Sequence, residues 1–192
     1  MELPRGASTV CAVAVNDNYL VSTAAYMGYT VAGLTEDVTF ADPSLEAYMQ
    51  ELLNKGGRVI KTSDLWGLSE LVVPEDVTTL ADLVHFTGLT RLTIHGFKGD
   101  GYDFLADMPS LQVLDLSGCA LSSDTLDLIG SLSQLEELYL DNCGISKISS
   151  FSSLSKLRIL HLNDNSVQDL SPLENLEKLD AAGIRRVVRR CD

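Results

Sequence analysis

The segments LEELYLDNCGI, from Leu135 to Ile145, and LRILHLNDNSV, from Leu157 to Val167, hold aliphatic residues at the same offsets while most of the residues between them change. Sliding that pattern, L-x-x-L-x-L-x-x-N/C-x-L, along the chain finds starts at Leu68, Leu89, Leu111, Leu135, Leu157 and Leu176, with intervals between 19 and 24 residues. A period of this length constrains the fold more than any other feature, because one unit is too short to bury its own leucines. The copies must stack on one another, so that each covers its neighbour's apolar side.

The first part of each unit alternates: Leu138 and Leu140 are apolar, whereas Glu137 and Asp141 are polar, which is the period of a half-buried strand. Cys119, Cys143 and Asn165 hold the place after the strand where the chain must turn inward; Asn can satisfy backbone groups there, and Cys is small and readily buried. The second half returns the chain, with Ile148, Phe151, Leu154, Leu170 and Leu173 facing inward. Over roughly Leu65 to Ile184 these units resemble leucine-rich repeats, in the short-repeat (Sds22/internalin-like) subclass. Asp76 and Phe97 depart from the Asn or Cys of the motif in the first two units. The resemblance implies an α/β repeat solenoid, a leucine-rich repeat horseshoe with a parallel concave β-sheet and about five repeats over residues 65–183.

A solenoid exposes an apolar edge at each end and needs covers there. Asp42 is placed as an N-cap and Pro43 at the first helical position; Leu45, Met49, Leu52 and Leu53 share one helical face, and Gly56 and Gly57 make a stop. This predicts a helix over 43–55 inside an N-terminal cap of residues 38–64, similar to that of internalin-type proteins. At the other end Ile184, Val187, Val188 and Cys191 recur at helical spacing with Arg185, Arg186, Arg189 and Arg190 turned away, which predicts a basic C-terminal capping helix over 184–192. Residues 1–37 fit neither cap; TVCAVAV and YTVAGL read as strands of a small β-rich extension.

With 27 acidic and 14 basic residues the formal charge is −13 and the isoelectric point near 4.5. That balance argues against nucleic acid as a partner, except through the four C-terminal arginines, because phosphate binding draws on Lys and Arg. No stretch approaches the roughly 18 apolar residues of a membrane span, and the N-terminal segment does not read as a signal peptide. An intracellular (cytoplasmic) location is the expectation, with the cell surface or secretion as the alternative. Cys11, Cys119, Cys143 and Cys191 are too scattered for a disulfide scaffold. Cys119 and Cys143 fall on adjacent coils, about 5 Å apart, where two buried thiols are favoured over a bridge.

Catalysis needs titratable groups that converge. His85, His95 and His161 lie in different units, so no shared metal is expected, and no cofactor. GFKGDG lacks the spacing of a phosphate loop, and DGYD lacks the twelve-residue register of a calcium loop. An enzyme is not expected.

The residues that change between units are more informative. Outward-facing positions stack into columns: Glu70, Arg91, Val113, Glu137, Ile159 and Lys178; then Val72, Thr93, Asp115, Tyr139, His161 and Asp180; then Pro74, His95, Ser117, Asp141, Asn163 and Ala182. Val113, Tyr139 and Ile159 put apolar groups on three adjacent coils, where they are expected to be exposed and in contact, with Asp115, Glu136, Glu137, Asp141 and Asp164 as an acidic rim. The expected function is a non-catalytic protein–protein interaction through Glu70, Arg91, Thr93, Val113, Asp115, Glu137, Tyr139, Asp141, Ile159 and His161, with a basic protein partner. Arg185, Arg186, Arg189 and Arg190 form a competing second surface. The alternatives are a structural subunit of a large multiprotein assembly and a fragment of a bacterial surface adhesin.

Overall fold

The computed structural model describes residues 36–179. The sequence-based expectations for residues 1–35 and for the basic segment 184–192 lie outside those residues, as do Asp180 and Ala182 of the columns.

Five three-residue strands, β1 (Glu70–Val72), β2 (Arg91–Thr93), β3 (Val113–Asp115), β4 (Glu137–Tyr139) and β5 (Ile159–His161), form one parallel sheet in sequence order. The register is set by the central leucines: Leu71, Leu92, Leu114, Leu138 and Leu160 are aligned and buried. Two positions further on, Val73, Ile94, Leu116, Leu140 and Leu162 form a second buried ladder. A slip of one residue would turn both ladders out to solvent, so the apolar period itself fixes the pairing.

Each strand is followed by an inward turn. Gly96, Gly118, Asn142 and Asp164 take left-handed backbone angles (φ 67°, 74°, 56° and 57°), a conformation open to Gly and, among other residues, mainly to Asn and Asp. Their spacing follows the repeat and was a readable signal beside the Cys/Asn position. The second unit therefore keeps the turn despite Phe97, whereas the first, with Glu75 at that place, does not take the left-handed conformation.

The next residue ties each coil to the one before. The Cys119 thiol donates to the Ile94 carbonyl at 3.3 Å, Cys143 to Leu116 at 3.1 Å, and Asn165 Nδ2 to Leu140 at 2.7 Å. Asn165 does more, because its Oδ1 also accepts from the backbone N–H of Cys143 and of Ile145. Both cysteines are free thiols and buried. Burial raises the pKa of Cys119 and pushes that of Cys143 up to about 11.

The return segments are short 3₁₀ turns (Ala81–His85, Tyr102–Asp107, Ser149–Ser153, Ser171–Leu173), except in the third unit. There the interval to the next repeat is longest, and the extra length winds into a two-turn helix, Ser123–Gly130, whose N-cap Ser122 accepts from the Thr125 N–H at 3.1 Å. Of the residues expected to face inward on the return side, Ile148, Phe151, Leu154 and Leu173 are buried, and Leu170 packs partly buried against them.

At the N-terminal end α1 spans Pro43–Leu52 with Asp42 as its N-cap, and a one-turn α2 spans Thr62–Leu65. The helix stops short of the expected residue 55, because Asn54 takes the left-handed conformation (φ 51°) two residues before the glycines. Leu45 and Met49 are buried and Leu53 partly so, but Leu52, expected on the same face, is 47% exposed. We name the helix Ser123–Gly130 α3.

Candidate protein-binding face

The strands bring together the residues expected to act. Glu70, Arg91, Val113, Glu137 and Ile159 are partners along one row, and Val72, Thr93, Asp115, Tyr139 and His161 along the other. The expected apolar centre is not as open as the sequence suggested. Val113 keeps only 8% of its surface exposed, and Glu137 stands between it and Ile159 in the row. Tyr139 and Ile159 are half-buried. A row in a tightly spaced parallel sheet leaves a β-branched side chain little free surface between two longer neighbours, here Arg91 and Glu137.

The Tyr139 ring packs edge-on against the His161 imidazole, with centroids 4.7 Å apart, and its hydroxyl donates to Glu137 Oε2 at 3.0 Å. Burial, and then the Glu137 carboxylate, raises the Tyr139 pKa and keeps the phenol neutral. Two histidine–aspartate pairs flank this ring. His95 Nε2 lies 3.0 Å from Asp115 Oδ2, and His161 Nδ1 lies 3.8 Å from Asp141 Oδ2. Asp115 Oδ1 also accepts from the Ser117 N–H at 2.9 Å and hydroxyl at 2.6 Å. Burial alone would raise the Asp115 pKa, but the Ser117 and His95 hydrogen bonds outweigh it and hold the carboxyl below its usual range. Asp141 accepts from the Asn163 N–H at 2.6 Å and from its side-chain amide at 3.1 Å.

The Tyr139–Glu137 bond lies within β4, and the others join neighbouring coils or tie a strand end to the residues just after it, so the face is held in a fixed shape before any partner arrives. The Glu70–Arg91 pair, at 4.0 Å between exposed side chains, is a surface contact worth little energetically. Among the described residues no group of three His, Cys, Asp or Glu side chains is placed to hold a metal ion.

A family model described as "Leucine Rich repeats (2 copies)" matches residues 133–175, and one described as "Leucine Rich Repeat" matches residues 110–132. With five in-register parallel strands at the same period, these matches decide the family. The chain is a leucine-rich repeat protein.

Among solved structures this leucine-rich repeat protein is similar in fold to an internalin (inlF) from Listeria monocytogenes, at 22% identity and TM-score 0.63, over 78% of this chain and 52% of that one. It thus spans about half the length of that internalin. Internalin C2 of the same organism is matched more loosely, at 22% identity and TM-score 0.40, over 73% of this chain and 92% of that one. No curated protein matches the sequence significantly. Leucine-rich repeat domains generally mediate protein–protein interaction and are typically not enzymes.

Proposed function

We propose that this leucine-rich repeat protein binds a protein partner bearing Lys or Arg on the concave face, with Tyr139 and Ile159 as the apolar contacts and Asp115, Glu137 and Asp141 beside them. The observation that carries this reading is the aromatic ring of Tyr139, half-exposed on β4 and fixed by His161 and Glu137. A rigid aromatic anchor costs little entropy on binding, and acidic neighbours steer a basic partner and speed its arrival. Glu70, Arg91 and Thr93 extend the surface toward the first coil, with Val113 as a packed floor rather than a contact.

The helix Pro43–Leu52 serves as the N-terminal cap of this array. Among the described residues no helix is long and apolar enough to cross a membrane. An internalin-like fold is compatible with display on a cell surface or secretion, and the intracellular expectation has no further support.

The test is capture of a partner from native extract by the purified chain, at about 0.05 M and about 0.5 M salt, where screening lengths differ severalfold. A stoichiometric partner that is lost with Tyr139→Ala and Ile159→Ala, and weakened by salt, supports this reading. Capture that survives both substitutions but disappears on charge reversal of Arg185, Arg186, Arg189 and Arg190 refutes it in favour of the basic C-terminal surface. A fixed set of salt-resistant partners, indifferent to all of these changes, fits a structural subunit.

A further inference from the structure

The large apolar side chains left most exposed among the described residues are Leu52 (47%), Val59 (56%), Trp66 (44%), Val72 (49%) and Val84 (48%). All five lie between residues 52 and 84, on the end of α1, the loop after it, the C-terminal end of α2 and the first coil; the second to fifth coils have none. Scattered surface leucines and valines need no explanation, but five confined to one end of an array, with the only tryptophan among them, mark a covered surface. At the same end β1 is the sheet's edge and has a strand partner on one side only among the described residues. Exposed sheet edges are ordinarily blunted or covered.

The backbone says where the cover comes from. Val38 N–H donates to the Ile60 carbonyl at 2.8 Å and Thr62 N–H to the Glu36 carbonyl at 2.9 Å, so residues 36–38 run antiparallel to residues 60–62 and Asp37 pairs with Lys61. At Glu36 the backbone direction therefore points past Thr62 along α2, toward Trp66, the residue just after that helix. The Thr62 hydroxyl, beside this junction, is buried with no hydrogen-bond partner among the described residues. Buried hydroxyls are normally paired, so this one points to a further segment passing next to it. The preceding 35 residues have the right composition: only Glu2, Arg5 and Asp17 are charged, and the rest is rich in Ala, Val, Leu and Tyr. At about 3.3 Å per extended residue they are long enough to reach any part of this end.

We propose that residues 1–35 of the same chain dock on the outer end of the first coil and cover Trp66 together with the other exposed apolar side chains there. The proposed cover meets the concave face at Val72, the first residue of its row, and otherwise does not rest on what that face binds. A cover at this end would do for the N-terminal edge what capping repeats do in other solenoids.

Trp66 is the single tryptophan of the 192 residues and so reports on its own burial. In the full-length chain its emission should be blue-shifted and its quenching by iodide several-fold weaker than in the urea-unfolded chain, with the protein monomeric by light scattering. A chain lacking residues 1–35 should then show red-shifted, readily quenched emission while its circular dichroism stays folded. Ready quenching in the full-length chain overturns the proposal. So does protection that appears only in a dimer, which makes a second copy the cover, and so does protection that persists in the folded truncated chain. If the truncated chain does not fold, the full-length quenching measured across dilution decides by itself.

Discussion

Replacing Asp42, the N-cap of α1, by Ala should loosen the N-terminal end of the array. The carboxylate is 1% exposed and accepts five hydrogen bonds. Oδ1 takes the N–H groups of Ser44 at 2.9 Å and Leu45 at 3.2 Å, which caps α1. Oδ2 takes the N–H of Thr78 at 2.7 Å, its hydroxyl at 2.8 Å and the N–H of Thr79 at 3.2 Å, which ties α1 to the loop before the first return segment. Asp82, 3% exposed and part of that segment, answers by accepting the N–H groups of Ala41 at 2.7 Å and Asp42 at 2.9 Å. Loss of an N-cap costs about 1 kcal/mol, and each buried donor left unmet roughly 1–3 kcal/mol, the lower figure where water can enter. Thr78 is exposed and Thr79 half-buried, so the sum is about 3 kcal/mol, a large part of a typical domain's stability.

The same hydrogen bonds make this stabilisation depend on pH. Burial by itself would raise the Asp42 pKa, but the Thr78, Leu45 and Ser44 hydrogen bonds overcome it and bring it from 3.8 to about 2. A folded pKa below the unfolded one means that the stabilisation is fully present above about pH 4 and is lost as the pH falls through about 2; two units correspond to about 2–3 kcal/mol. Urea unfolding of wild type and of Asp42→Ala at pH 7, with amide exchange of residues 43–52, measures the loss. Asp42→Asn, which keeps one acceptor oxygen, should lie between them. Combining Asp42→Ala with Asp82→Ala should cost less than the two single losses added, since both break one joint. A stability change within about 0.5 kcal/mol for Asp42→Ala, the range of ordinary surface changes, would refute the reasoning.

Other outcomes follow from packing and burial. A Cβ added at Gly130 would sit 2.3 Å from the backbone carbonyl oxygen of Ser150, so Gly130→Ala should lower stability by roughly 1–3 kcal/mol, read as a drop in Tm. Asn165→Ala removes four hydrogen bonds between or within coils and should cost about 3 kcal/mol, whereas Cys143→Ala, which loses one weak thiol donor and a small volume, should cost about 1 kcal/mol; denaturant titration gives the order, and equal losses would contradict it. Cys119 and Cys143, buried and with raised pKa values, should resist alkylation at pH 8 in the native chain and react in denaturant, as peptide mapping of the labelled sites can read.

The two outward rows of the sheet were legible because strand alternation and the repeat period together leave one way to stack the copies. Glu70, Arg91, Glu137, Tyr139 and His161 accordingly stand where the pattern put them. The openness of that face was not legible. Val113 reads as an exposed contact but is closed in by its row, since burial depends on the length of the side chains on the next coils. Leu52 errs in the opposite direction, because a helical face says which residues share a side and not how far the covering structure extends.

The left-handed turns at Gly96, Gly118, Asn142 and Asp164 were within reach of the sequence, and so was the helix α3, announced by the longest interval between repeats. Those are local matters of backbone freedom and chain length. The Asp42–Thr78 and Asp82–Ala41 joint, the His95–Asp115 pair and the thiol-to-carbonyl bonds between coils were not. They link residues 20 to 41 positions apart through distances of about 3 Å, and a periodic pattern specifies which coil follows which without specifying which polar atoms will meet. The sequence by itself determined the solenoid and its register, because apolar burial depends only on period. The tertiary structure decided which polar groups are paired and which apolar ones stay uncovered, because hydrogen bonds and steric closure depend on atomic distance.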